Sequence, residues 1–334
     1  MRNKIKLSVL DQSSVRSTTS AAGALEGSIA LTKVSEKLGY HKYWLAEHHS
    51  SDGIASISPE ILIKRIVTGT SSIRVGSGGI MLSHCSPCKV TEIFRISEAM
   101  FPGRIDLGIG VAPNSNHTTT CALAYGGGQG AGHFPTMVSD LYGLLTDSLP
   151  AKRSFGMVKT RPHTNSSPPV WMLDSSDYSA AYAAHLSLAF YLMHFVAPFG
   201  DENVARAFQE QFQSAGSLKE PSINFGAFVM CAETDEKVET LMASGDLFRL
   251  RADKGDLASI PLVDEALSYR YTQNEREYVL KCRVRTVQGS PKTVKSKILE
   301  LSDYYKNEEF LITNVCPEFE ARQRSYEILA ETHG

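Results

Sequence analysis

A carboxylate and two imidazoles stand on consecutive residues, Glu47-His48-His49, directly after the apolar run KYWLA at 42–46. Histidine titrates near neutrality, so a ring facing a pocket could take or give a proton at pH 7. Adjacent side chains of an extended chain point to opposite faces, so His48 and His49 must serve different surroundings. A solvent-exposed loop pair is the plain alternative, and the triplet alone leaves both readings open. A metal site is not expected here, because no further His or carboxylate stands at ligand spacing nearby.

Three other segments carry chemistry-bearing residues. Gly76-Ser77-Gly78-Gly79 interrupts the apolar run at 73–80, and glycine inside a strand marks either a distortion of the sheet or a close backbone approach to a ligand. Asp174-Ser175-Ser176-Asp177-Tyr178-Ser179 joins an apolar run to a helical segment. Its hydroxyls and free backbone N–H groups at a positive helix end could hold an anion, although Ser and Asp there also serve as ordinary caps. Asp174 and Asp177 would repel a phosphate that they faced. Cys85-Ser86-Pro87-Cys88 is a C-x-x-C at a helix start, but it has no second pair for zinc and no thioredoxin-like surroundings, so a redox role is not favoured. The Gly-rich run at 126–132 follows no apolar strand, so it is not a dinucleotide fingerprint. No such fingerprint stands elsewhere, and a nicotinamide site is not expected.

The elements that must position these residues alternate along the chain. Runs at 4–10, 42–46, 73–80, 104–110, 169–173, 189–194, 223–231 and 310–313 read as strands. Amphipathic segments lie between them: 21–38, starts at Ser58-Pro59 and Ser86-Pro87, and segments from Tyr178, Asp201, Thr234, Ser290-Pro291 and Glu318. The strands are rich in Val, Ile and Leu without strict alternation, as parallel strands covered on their outer face should be. Eight strand–helix alternations in 334 residues predict an α/β fold, a (β/α)8 TIM barrel formed as a single domain over 1–334. Irregular insertions are expected at about 113–167 and 247–289. In such a barrel the chemistry gathers at the C-terminal ends of the strands. That rule selects residues 47–49, Gly78-Gly79, Gly110-Val111-Ala112, Asp174-Ser175-Ser176 and His194.

Composition narrows the function classes. With 34 Lys+Arg against 36 Asp+Glu, the formal charge is −2, which offers no electrostatic footprint for nucleic acid or an anionic membrane surface. Hydrophobic residues make up 42%, too many for intrinsic disorder. Six cysteines are too sparse for a disulfide scaffold. The basic N-terminus is followed by no apolar core of a signal peptide, and the longest apolar stretch, about 180–199, is broken by His185, Ser187, His194 and Pro198. A cytoplasmic protein is the expectation.

Taken in order, several of these segments resemble the bacterial luciferase-like, flavin-dependent monooxygenases. They are Ala46-Glu47-His48-His49, the stretch 76–82 with Ser86-Pro87, FPGRIDLGIG at 101–110, LDSSDYSA at 173–180, VQGSPKTV at 287–294 and Arg322-Gln323-Arg324-Ser325-Tyr326. The likeness runs nearly end to end and is weakest at 113–167 and 247–275. It implies a TIM barrel, a homodimer or a heterodimer with a related chain, and FMN delivered reduced by a separate flavin reductase. It further implies reaction with O2 to oxygenate a small-molecule substrate, an aldehyde or a secondary-metabolite intermediate such as a polyketide. Carried over residue by residue, the likeness makes His48 the catalytic imidazole with Glu47 beside it, and Gly78-Gly79 a non-prolyl cis peptide beneath the flavin ring. Gly110, Val111, Ser175, Ser176, Tyr178 and Ser179 fall in the cofactor-binding segments, with the serines approaching the phosphate. Four positions depart from the pattern. Val111 stands where relatives often carry an arginine for the phosphate, and Asp174 where a glycine is common. Met193 precedes His194 in place of a second histidine, and Gly110 sits where the light-emitting enzymes have a reactive cysteine. These departures motivate an alternative, a non-catalytic or weakly flavin-binding partner subunit on the same barrel.

Overall fold

The computed structural model describes residues 5–110, 117–125, 133–196, 201–214 and 218–333. Eight parallel strands close into a barrel. They are β1 (Lys6–Asp11), β2 (Lys42–Leu45), β3 (Arg74–Met81), β4 (Ile105–Gly110), β5 (Val170–Asp174), β6 (Ala189–Met193), β7 (Ile223–Cys231) and, after one further short strand, β9 (Glu309–Thr313). Neighbours pair in sequence from β1 to β7, then β7 pairs β9, and β9 pairs β1 through Lys6 opposite Glu309 and Val9 opposite Ile312. The expected (β/α)8 barrel is therefore the observed fold.

The short strand β8 (Thr286–Gly289) is an addition to the expected set. It pairs with the second half of β7, from Phe228 to Cys231, beyond the point where β6 stops at Met193 opposite Gly226. The region expected as an irregular insertion at 247–289 is largely helical. Helix α8 (Asp235–Asp253) runs into it, and α9 (Val263–Ser268) and α10 (Gln273–Arg283) follow. The first insertion contains α4 (His117–Leu123) and α5 (Phe134–Leu145). The Gly-rich run at 126–132 lies outside the described residues.

Alternation along each strand divides the apolar side chains between two cores. One face of β2 sends Tyr43 and Leu45 outward to the helices, where they join Val9, Val75, Leu107, Ile109 and Phe190 in the main core. The other face sends Trp44 inward, to a smaller cluster with Leu10, Ala46, Leu173, Tyr191, Met193 and Leu311. Trp44 lies edge-on to Trp171 and to Tyr191, with ring centroids 5.7 and 5.0 Å away. These rings fill the barrel interior, as the layered side chains of a barrel must. Among the described residues, no helix is long and apolar enough to cross a membrane.

The helices that flank the rim start as the sequence dictates. Proline occupies the first turn of α2 (Pro59–Val67) and α3 (Pro87–Met100), where its missing N–H is not needed. Ser176 caps α6 (Asp177–His185), its side chain accepting from the Ser179 N–H.

Candidate active site

The C-terminal ends of β2 and β3 are tied together by Glu47. One carboxylate oxygen of Glu47 accepts the Met81 backbone N–H at 3.0 Å, and the other lies 2.7 Å from His49 Nε2. Burial pushes the Glu47 carboxyl up, against the hydrogen bonds from His49 and Met81. His48 points elsewhere, with Nε2 3.5 Å from the Gln12 amide nitrogen and its own backbone N–H donating to the Ser56 carbonyl at 3.0 Å. The two histidines of the triplet thus face opposite ways, as alternation requires. Burial pushes the half-buried His48 imidazole down to about 4, with His49 adding to the effect, so the ring is neutral at pH 7.

The peptide bond between Gly78 and Gly79 is cis, as the family likeness implies. The glycines also have a reason inside the barrel. The β3–β4 register shifts between Ser77 and Ile80, and the Ser77 hydroxyl fills the gap by donating to the Gly108 carbonyl at 2.8 Å and accepting its N–H at 3.1 Å. A Cβ on Gly79 would stand 2.8 Å from the Ile109 carbonyl carbon, and one on Gly78 would stand 2.6 Å from Leu10 Cδ1. The close approach that the glycine run signals is made by the barrel's own neighbouring elements. Gly110 ends β4 opposite Met81 and Leu173. Val111 lies outside the described residues.

At the end of β5 the hydroxyls expected to meet a phosphate are engaged by a carboxylate. Ser176 Oγ donates to Asp174 Oδ2 at 2.7 Å, and Ser179 Oγ donates to the same oxygen. The side chain of Ser176 is exposed and that of Ser179 buried, with Ser175 between these extremes. Tyr178 is exposed and stacks on Tyr182, ring centroids 6.5 Å apart. This donor set fits an anionic oxygen, because it holds one. A phosphate there would have to take these donors over from Asp174, with the backbone N–H groups of the α6 N-terminus beside them.

Further residues on this end of the barrel were not marked by spacing. Gln12, just past β1, is the near neighbour of His48. His84 follows β3 in a single 3-10 turn, Leu82–His84, and its ring stands edge-on to His49 with centroids 5.6 Å apart. The sequence places no further His or carboxylate at ligand spacing beside Glu47 and His49, and the fold brings His84 there. The strand-end rule applied to residues just past β3 would have reached His84. His194, which that rule did select, sits 2.5 Å through Nδ1 from Asp201 Oδ2. Burial pushes the Cys85 thiol up to about 11, with the Glu47 and Glu60 carboxylates adding to it, and Cys88 is also raised. Neither has the lowered pKa of a reactive redox pair.

The family model of luciferase-like monooxygenases matches residues 5–305. The uncharacterised protein YceB of Bacillus subtilis is 41% identical over 327 residues, 98% of this chain and 99% of its own. The N-acetyl-S-alkylcysteine monooxygenase of the same organism is 30% identical over 330 residues, 98% of each chain. Among solved structures, apo-MsnO8 superposes with a TM-score of 0.90 at 32% identity, covering 98% of both chains. The oxygenating constituent of 3,6-diketocamphane monooxygenase from Pseudomonas putida, solved with FMN, shares the fold. Its TM-score is 0.71 at 15% identity, over 99% of this chain and 98% of its own. This chain belongs to the luciferase-like monooxygenase family.

Proposed function

We propose that this chain is a flavin-dependent monooxygenase that receives reduced FMN from a separate reductase and spends O2 on a small organic substrate. An aldehyde or a secondary-metabolite intermediate such as a polyketide suits the family likeness, and the B. subtilis relative named for N-acetyl-S-alkylcysteines adds thioethers to the substrates worth offering. The observation that carries the reading is the placement of three features towards the C-terminal ends of β2, β3 and β5. They are His48 after β2, the Gly78–Gly79 backbone in β3, and the serine-capped start of α6 after β5.

Bound FMN supplies the O2-reactive ring. The chain's own residues do the rest. The cis Gly78–Gly79 backbone would lie beneath the flat ring, as the family likeness implies. Ser176 and Ser179 offer hydroxyl donors to a phosphate, with Ser175 and the first N–H groups of α6 beside them. His48 offers an imidazole nitrogen that can hold or move a proton at the substrate. Trp44, Trp171 and Tyr191 block the barrel interior beneath, which keeps water from entering through its N-terminal end. We assign the chain to the cytoplasm, working as a homodimer or with a related chain.

The test is a titration with FMN, reduced FMN and F420, followed by O2 uptake with NADH, a flavin reductase and a substrate panel of aldehydes, ketones and thioethers. Saturable binding of reduced FMN and substrate-dependent O2 consumption are expected. His48→Gln should lower the oxygenation rate by roughly 100-fold while flavin affinity stays unchanged. Binding of neither flavin form at millimolar concentration overturns the proposal and leaves the partner-subunit reading, which the engaged Asp174 motivates.

A further inference from the structure

We infer that Glu47, His49 and His84 form a binding site for one divalent transition-metal ion of the zinc class, with a fourth coordination position open to water. Their ligand atoms, one carboxylate oxygen and two imidazole nitrogens, all lie within 4.8 Å of one another. Two histidines and a glutamate are a donor set that zinc accepts with a water in the fourth place. Tetrahedral bonds of about 2.0–2.1 Å put donor atoms roughly 3.3 Å apart, so a modest rotation of the side chains closes the set.

Burial makes the cluster more than a chance grouping. Glu47 is 5% exposed and His84 9% exposed. Among the described residues, both ring nitrogens of His84 are buried without a hydrogen-bond partner. An imidazole held that way forgoes the bonds that water or protein would give it, which costs free energy unless something occupies the space in front of it. His49 stands there, edge-on, with its Nε2 already against the Glu47 carboxylate. The other Glu47 oxygen is fixed by the Met81 N–H, an outer contact that orients the carboxylate as metal ligands are commonly oriented. His84 also lines a cavity of about 500 Å3 together with Cys85, Leu123, His133 and Met137. Bound there, the ion would fasten the segment after β2 to the turn after β3, immediately beside His48. The inference does not depend on the flavin reading, because the three ligands act without a flavin.

The test uses the full chain, stripped with a chelator and free of flavin. Calorimetric titration with Zn2+ should give one ion per chain with a dissociation constant of about micromolar or tighter. Co2+ in its place should give the visible absorption bands of a four-coordinate site. His84→Ala and His84→Gln, the second keeping the side-chain volume, should each weaken Zn2+ at least tenfold and abolish the Co2+ bands, with the far-ultraviolet dichroism unchanged. Cys85→Ala should leave both signals in place. No stoichiometric binding at 100 μM Zn2+, or equal binding by the wild type and both His84 variants, overturns the assignment. So does loss in Cys85→Ala with retention in the His84 variants, which would make it a thiol site.

Discussion

On the proposed reading, Asp174 sets how tightly the rim would hold a flavin phosphate. Its Oδ2 accepts hydrogen bonds from Ser176 and Ser179, the donors that a phosphate would use. An incoming dianion must therefore displace a like charge and inherit its bonds. Removing the carboxylate frees both hydroxyls and removes the repulsion, and for a half-exposed pair that is worth about 0.5–1 kcal/mol. Asp174→Gly is thus expected to tighten FMN binding about two- to fivefold, read by quenching of flavin fluorescence, with Asp174→Asn in between. Riboflavin, which lacks the phosphate, should gain nothing. Equal affinity of Asp174→Gly and the wild type for FMN would place the phosphate away from α6. The chemical types at these positions were legible in the sequence, and so was the conflict between Asp174 and a phosphate. What spacing could not reveal was contact across strands. Gln12 meets His48, and His84 meets His49, only because β1, β2 and β3 lie side by side.

At the scale of elements, the N-terminal half of the barrel interior is organised by one carboxylate on β9. Glu309 Oε1 lies 2.7 Å from Lys42 Nζ and accepts from the Tyr191 hydroxyl at 2.6 Å and the Ser8 hydroxyl at 3.0 Å. It thereby joins β9 to β1, β2 and β6 inside the barrel. Burial alone would raise this carboxyl, but His41, Lys42 and Tyr191 outweigh it and hold the group at about 2. A carboxyl lowered in the folded state contributes stability above its unfolded value near 4.3 and loses it as pH falls towards 2. The span corresponds to about 3 kcal/mol. Glu309→Gln should therefore be less stable than the wild type to urea at pH 7, with the gap shrinking between pH 4.5 and 2.5. A gap that stays constant over that window would mean the carboxyl titrates normally. Among elements, those with sharp start signals were legible, since Ser-Pro at 58–59, 86–87 and 290–291 opens α2, α3 and α11 (Pro291–Tyr305). The four-residue β8 was not, because a segment so short carries too few side chains to display a period. An irregular region was expected from about 247, yet helix α8 continues through Arg249 and Arg251. There Arg249 pairs with Asp246, and Arg251 reaches Glu265 of α9.

Closure of the ring joins the two ends of the chain, and a buried ion pair fastens them. Arg322 on α12 (Phe319–His333) places Nη2 2.8 Å from Asp11 Oδ1 at the end of β1, with the two side chains 4% and 0% exposed. Asp11 also accepts the Tyr43 hydroxyl at 2.6 Å and the Ser13 N–H at 2.9 Å. Burial would raise the Asp11 carboxyl, but Arg322 and these hydrogen bonds outweigh it and hold it below its ordinary value. Taking the guanidinium away leaves a buried charge without its counter-ion, a change that costs about 3–5 kcal/mol. Arg322→Ala is expected to lose that much in equilibrium unfolding at pH 7, and Asp11→Asn on the same background should recover part of it. The sign with pH is fixed. Without Arg322 the carboxyl rises, protonation on acidification relieves its burial, and the deficit against the wild type narrows as pH drops below 4. Eight alternations predicted a closed ring, and the pairing of β1 with β9 brings residues 11 and 322 into contact. A deficit under about 1 kcal/mol that does not vary with pH would mean that the seam between β1 and β9 closes on its backbone ladder alone.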